Sequence, residues 1–189
     1  ICTNLLALHH QTRVHLHVDL IVGLPGEDLQ SFQAGFDRLH ALGPHEIQVG
    51  ILKRLKGTPI RRHTRSFEMT YSPIPPFEVM RTSVLSYEEL NEMKRFSQLW
   101  DRVVNNGQFP EASTWIWKDQ DSVFEAFRQF SAWAVEKTGR STHLSLLRLS
   151  ELLCDFVMES RGVEEAEIGP VLVRDLKRTR GRRLPERLR

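Results

Sequence analysis

A histidine and an aspartate two residues apart, His17 and Asp19, form the first pair in this chain whose types and spacing could do chemistry. They lie in residues 14–22, where even positions carry Val14, Leu16, Val18, Leu20 and Val22 and odd positions carry His15, His17, Asp19 and Ile21. Alternation with a period of two is a strand signature, so His17 and Asp19 share one face of that strand. An ionisable pair on an inward face is costly unless its members bond to each other or to a ligand. His17 and Asp19 are therefore candidates for substrate or cofactor contact, and a purely structural His–Asp hydrogen bond fits the pattern equally well. The strand runs into Gly23-Leu24-Pro25-Gly26-Glu27. Small residues there let backbone approach a ligand closely.

Other chemistry-bearing residues point to less. His9, His10, His15 and His17 resemble a metal cluster by count, but no cysteine or carboxylate completes a recognisable set, and we assign no metal ligand. Cys2 and Cys154 are the two cysteines. They suggest no disulfide framework, which points to a reducing, cytoplasmic setting. They are also too few for a four-iron cluster, which needs several thiolates at short spacing. Cys154 falls on the buried side of a helical pattern and reads as a small core hydrophobe. Trp115-Ile116-Trp117 could stack a ring, and it also suits core packing at a helix entry.

The elements that must position these residues follow in order. Residues 1–12 read as the end of a helix. After the strand, Asp28 stands as N-cap before Leu29, Phe32, Phe36 and Leu39 at helical spacing, and Gly43-Pro44 stops that helix. A second apolar run from Ile47 to Leu52 completes a strand–helix–strand unit, whose strands are normally parallel. If the first strand lines a barrel, His17, Asp19 and Ile21 face its lumen, with Gln48, Gly50 and Leu52 inward on the second. Residues 53–76 are basic and rich in turn formers, and a loop of that length is usually functional. Ser86-Tyr87-Glu88-Glu89 is a capping box opening a helix with Leu90, Met93, Phe96 and Trp100 on its apolar stripe. Further helices are expected from about Asp121 to Lys137, from Ser141 to near Gly162, and from Pro170, a residue suited to a first helical turn.

Composition bounds the class. The chain has 189 residues, 40% hydrophobic and 26% charged, ordinary for a globular protein. No apolar run approaches the ~18 residues of a membrane span. The net charge of +2 conceals a basic tail. From Arg174 to Arg189 eight Lys and Arg face Asp175 and Glu186, a local +6 that leaves −4 for the rest. Such a tail either holds a polyanion or is a solvated, disordered terminus.

Residues 17–27 (HVDLIVGLPGE) and 47–58 (IQVGILKRLKGT) together resemble the fifth and sixth barrel strands of radical S-adenosylmethionine (radical SAM) enzymes. Residues 71–89 (YSPIPPFEVMRTSVLSYEE) and 105–109 (NNGQF) are similar to the group in which a cobalamin-binding domain precedes the barrel and a helical domain of unknown role follows. The resemblance implies that Ile21 and Gly23 pack against the adenine of S-adenosylmethionine, with Leu52 and Lys53 nearby. His17, Asp19 and Gln48 would face substrate or lumen. It also implies a parent enzyme with a [4Fe-4S] cluster, S-adenosylmethionine and, in this group, cobalamin. The three-cysteine cluster loop of the family is not in this sequence, so no cofactor is expected on this chain alone.

The expectation is thus an α/β part followed by an α-helical part. Residues 1–60 would be the end of the barrel, 61–85 a linker loop, 86–173 a helical C-terminal domain and 174–189 the basic tail. The chain opens on Ile1-Cys2-Thr3 and is expected to be the C-terminal piece of a longer Fe-S oxidoreductase. Its partners would be the cluster-bearing remainder of that parent and an unknown substrate, or a second copy pairing through open strand edges. The competing expectation is a helical module that binds RNA or another polyanion through its tail and through Arg61, Arg62 and Arg65.

Overall fold

The computed structural model describes residues 2–178 and 184–185, and the chain divides into two compact units, residues 1–97 and 98–189. The division falls inside a helix and not in the expected 61–85 linker. The first unit opens with α1 (Cys2–Gln11), followed by β1 (His17–Val22), α2 (Leu29–Ala41) and β2 (Glu46–Ile51). The strands are parallel, in the register His17 to Glu46, Asp19 to Gln48 and Ile21 to Gly50. Among the described residues this sheet has two strands and closes no barrel.

Local chemistry accounts for these limits. Asp28 accepts a hydrogen bond from the Ser31 backbone N–H at 2.8 Å, so it is the expected N-cap of α2. Phe32, Phe36 and Leu39 are the buried stripe of that helix. One face of the sheet is covered, with Val22, Ile47 and Val49 buried, while His17, Asp19, Ile21 and Gln48 are exposed on the other. Alternation along β1 thus separates the faces as expected, and the polar face is open.

The expected loop and linker hold more structure than their composition suggests. A 3₁₀ turn spans Pro59–His63, with Pro59 opening it. The short strands β3 (Thr70–Tyr71) and β4 (Val79–Arg81) pair antiparallel, and Met69, Val79, Thr82 and Leu85 are buried. This segment belongs to the core of the first unit. The reason is that Val79 N–H donates to Leu52 O at 2.8 Å and Arg54 N–H to Phe77 O at 3.0 Å, which ties the hairpin to the end of β2. The capping box holds: Glu89 N–H donates to Ser86 Oγ at 3.1 Å and Ser86 N–H to the Glu89 carboxylate at 2.8 Å. It opens α3 (Tyr87–Trp100), which continues as a π-helical turn, Asp101–Asn105.

The second unit is helical, with a 3₁₀ helix at Ala112–Ile116 and then α4 (Val123–Thr138), α5 (Leu146–Arg161) and α6 (Glu165–Lys177). Its core joins Trp100, Phe127, Phe130 and Phe156, whose rings meet edge-on or tilted at centroid distances of 4.9, 5.4 and 5.2 Å. Two expected helix starts move. α5 is capped by Ser145, whose side chain accepts from Arg148 N–H, and not by Ser141, because His143 stands at φ 57° and cannot lie in an α-helix. α6 begins at Glu165 and carries Pro170 inside it. Residues 174–177 of the expected tail are helical, and Arg174 pairs with Glu111 at 2.9 Å. Arg180, Arg182, Arg183, Arg187 and Arg189 lie outside the described residues.

Among the described residues no helix is long and apolar enough to cross a membrane.

Candidate functional site

The open face of the β1–β2 pair gathers most of the residues singled out in the sequence. His17 and Asp19 project from β1, and Glu46 and Gln48 stand opposite them on β2. The His17 ring reaches the Glu46 carboxylate through Nδ1 at 3.0 Å. Through Nε2 it reaches Asp19 Oδ1 at 3.1 Å and Gln48 Oε1 at 3.0 Å. All three partners are acceptors, so the doubly protonated ring satisfies the arrangement best. The bond to Asp19 is the main cause that raises the His17 pKa, followed by that to Gln48; desolvation opposes them, and the bond to Glu46 adds less than desolvation removes. Glu46 also receives His15 Nε2 at 2.9 Å, and the two histidines hold its carboxyl below the usual range.

Glu46 was not picked out by sequence, although it is the hub of this network. Its signal was available: parallel pairing sets Glu46 opposite His17, but that register is known only once the strands are placed. The network can hold a proton on His17 and present two carboxylates to solvent. Among the described residues, no group of three His, Cys, Asp or Glu side chains is placed to hold a metal ion.

Toward the C-terminal ends of the strands the same face becomes apolar. A groove of about 320 Å³ is lined by Asp19, Ile21, Gln48, Gly50, Leu52, Lys53 and Leu55 among others. That volume is at the lower end for small-molecule sites. Ile21 is 43% exposed within it, and no side chain at Gly50 blocks its floor. Leu52 lines the groove while its backbone is committed elsewhere: its N–H donates to Val22 O at 2.9 Å and its carbonyl accepts from Val79 N–H. The Leu52 backbone is thus engaged within the sheet and the hairpin, and its side chain is what it offers to the groove.

Gly23 stands apart from the groove. It is buried at φ +91°, and a Cβ there would meet Val79 Cγ1 at 2.6 Å. The space that glycine provides is occupied by the hairpin. Gly26, at φ +80° after Pro25, closes a turn with Glu27 N–H donating to Leu24 O at 3.2 Å. Pro followed by a positive-φ Gly is the type II order. Partial burial, with the charge of Asp28 beside it, raises the Glu27 carboxyl.

In the helical unit the tryptophans divide. Ile116 is fully buried and Trp117 packs on Trp100 at 5.9 Å, whereas Trp115 is half-exposed with Lys118 Nζ 4.1 Å above its ring. Cys154 is fully buried, its Sγ 3.9 Å from Met158 Sδ, as a core hydrophobe would be. Sequence reasoning passed over Asp175, which is 2% exposed on α6. It accepts from Ala112 N–H at 2.8 Å and Glu111 N–H at 3.1 Å, anchoring the 3₁₀ helix.

No curated protein matches this chain. A family model described as a protein of unknown function, DUF4080, matches residues 65–189. That span is more than half of the chain and takes in the whole helical unit, so the chain belongs to the DUF4080 family.

Proposed function

We propose that this chain is the C-terminal part of a radical SAM Fe-S oxidoreductase, with β1 and β2 as late strands of its barrel. The groove above them would receive the adenine of S-adenosylmethionine. The observation that carries the reading is the convergence of Ile21, Gly50, Leu52 and Lys53 at the C-terminal ends of two adjacent parallel strands. Ligands bind at that end in barrels and doubly wound sheets alike. The open face supports it too, because parallel sheets are normally covered on both sides. Remaining strands of the parent would supply that cover, and the strand edges open here would pair with those strands or with a second copy.

The residues present suit one wall of an adenine site: an exposed apolar side chain, a glycine floor and a lysine at the rim. In this reading Ile21 and Leu52 hold the ring and exclude water, Lys53 lies beside it, and His17 with Asp19 and Gln48 faces the substrate side. When bound, S-adenosylmethionine supplies the radical, and the protein supplies orientation and exclusion of solvent. The iron–sulfur cluster does not fit this chain. Only Cys2 and Cys154 are present, and Cys154 is sealed in the helical core. Its ligands, and the site for cobalamin, belong to the remainder of the parent, which we place in the cytoplasm on the sparse use of cysteine.

The test is the longer gene product containing this segment. It should carry a CxxxCxxC loop upstream and, reconstituted anaerobically, should cleave S-adenosylmethionine to 5′-deoxyadenosine on reduction. Ile21→Asp should weaken S-adenosylmethionine binding by roughly tenfold, about 1.4 kcal/mol. A reading frame without the loop would end the family assignment, and full binding by the Ile21→Asp protein would end the groove assignment.

A further inference from the structure

The groove is bordered by a basic segment of which the adenine reading uses Lys53 alone. From Lys53 to Arg65 the chain carries Lys53, Arg54, Lys56, Arg61, Arg62 and Arg65, and no acidic residue stands between Glu46 and Glu68. Counting Glu68, residues 53–68 carry +5; as the whole chain is +2, everything outside them sums to −3. Among the described residues none of these six cations is in an ion pair. Five of the six are exposed, and Arg54, half-buried, lies 5.0 Å from the Tyr71 ring centroid.

This is not a loosely solvated charge run. Thr58 N–H donates to Leu55 O, Thr64 N–H to Arg61 O and Met69 N–H to Thr64 O, and Met69 is buried. Arg62 Nε–H donates to His63 Nε2 at 3.0 Å, and the His63 ring packs on Phe67 at 5.9 Å. The 3₁₀ turn therefore presents Arg61 and Arg62 from a fixed backbone, and the backbone part of their ordering cost is met on folding. Lys53 and Leu55 belong both to this segment and to the groove lining, so the charge begins where the groove ends.

We infer that residues 53–65 bind the phosphodiester backbone of a single-stranded nucleic acid, which is the substrate class of the site described above. Guanidinium forks match phosphate oxygens, and four of the six cations are arginines. Cations strung along a segment suit a repeating anion better than a single one. The Arg54–Tyr71 stack and the exposed Leu55 side chain give flat and apolar surface beside them, as single-strand sites use. That this nucleic acid is the substrate rests on the proposed function, whereas the binding itself needs no cluster and no S-adenosylmethionine.

The experiment is fluorescence anisotropy of a mixed-sequence single-stranded RNA with the full 189-residue chain across salt concentration. Six neutralised phosphates give a slope of about −4 in log K against log salt, a loss of roughly 300-fold between about 50 and about 200 mM. The triple variant Arg61→Gln, Arg62→Gln, Arg65→Gln should bring the slope to about −2. Circular dichroism must show that its fold is kept, as three exposed side chains allow, and the triple Lys variant should retain the slope. A control replaces Arg182, Arg183 and Arg187 by glutamine. Loss of binding in that control alone would overturn the inference, as would a salt-independent signal. Equal binding to poly-glutamate at the same salt would overturn the phosphodiester assignment. RNA binding without S-adenosylmethionine cleavage in the longer gene product would retain the nucleic-acid site and remove the radical reading.

Discussion

Replacing Asp175 by alanine strips the acceptor from two backbone N–H groups at the start of the 3₁₀ helix Ala112–Ile116. The Asp175 side chain is 2% exposed and receives Ala112 N–H at 2.8 Å and Glu111 N–H at 3.1 Å, with a longer 3.4 Å approach from Glu111 N–H to its second oxygen. Ala112 is fully buried, so water cannot take over there without opening the unit. A buried donor left without its acceptor costs about 1–3 kcal/mol. Two such donors, one nearer the surface, give about 3 kcal/mol for Asp175→Ala. For a unit of this size that is a fall of roughly 12–24 °C in Tm. Asp175→Asn keeps one acceptor oxygen and should lose about 1 kcal/mol. Burial, the largest effect, raises the Asp175 carboxyl above its ordinary value despite these two hydrogen bonds. The folded state therefore holds this proton more tightly than the unfolded one, so the contribution is full below the unfolded pKa and is lost as pH rises through the folded value. Denaturant melts followed by circular dichroism across mildly acidic pH should show this decline in the parent chain and its absence in Asp175→Asn. An Asp175→Ala protein within 0.5 kcal/mol of the parent would refute the anchoring role.

Two further outcomes test the first unit. Gly23→Ala combines a left-handed φ of +91° with a Cβ 2.6 Å from Val79 Cγ1, and it should cost about 2–5 kcal/mol from backbone strain plus overpacking; Val79→Ala in the same chain should recover the overpacking part only, and equal stability of the two proteins would count against the close approach. The His17 ring should titrate above its ordinary value by proton NMR, and Asp19→Asn should lower it more than Gln48→Ala does, since the bond to Asp19 is the largest cause; stability linked to His17 is present at low pH and lost as pH rises through the raised value, and a His17 titrating at or below its ordinary value would remove the network as drawn.

Much of the fold was legible because its signals are local. The Asp28 and Ser86 caps and the apolar stripes of α2 and α3 depend on residues within a turn of one another. Alternation in β1 likewise separated His17, Asp19 and Ile21 from the covered face. Pairing chemistry between distant segments was not legible. The hairpin at Thr70–Arg81 hides in a proline-rich stretch whose hydrogen-bond partners lie at Leu52 and Arg54. Ser141 and Ser145 are equal as cap residues on paper. The choice falls to Ser145 because Ser141 Oγ–H donates to Gln98 Oε1, and Arg102 donates to the Leu144 carbonyl, which hold the chain out of helix before it. Pro170 reads as a helix start, yet α6 carries it in its sixth position. There one lost hydrogen bond is outweighed by burial of Ile168, Val171, Leu172 and Leu176.

The same division runs through the candidate site. By itself the sequence determined which face of β1 is polar, where that strand ends in a glycine turn, and that a dense run of arginine and lysine follows β2. Those properties come from period, residue type and charge, which need no partner. Tertiary structure alone decided that Glu46 joins His17, that Gly23 makes room for Val79, and that Leu55 borders the groove beside Ile21. Each of those facts is a distance between segments about 30 to 60 residues apart, set by parallel register and by the packing of the hairpin.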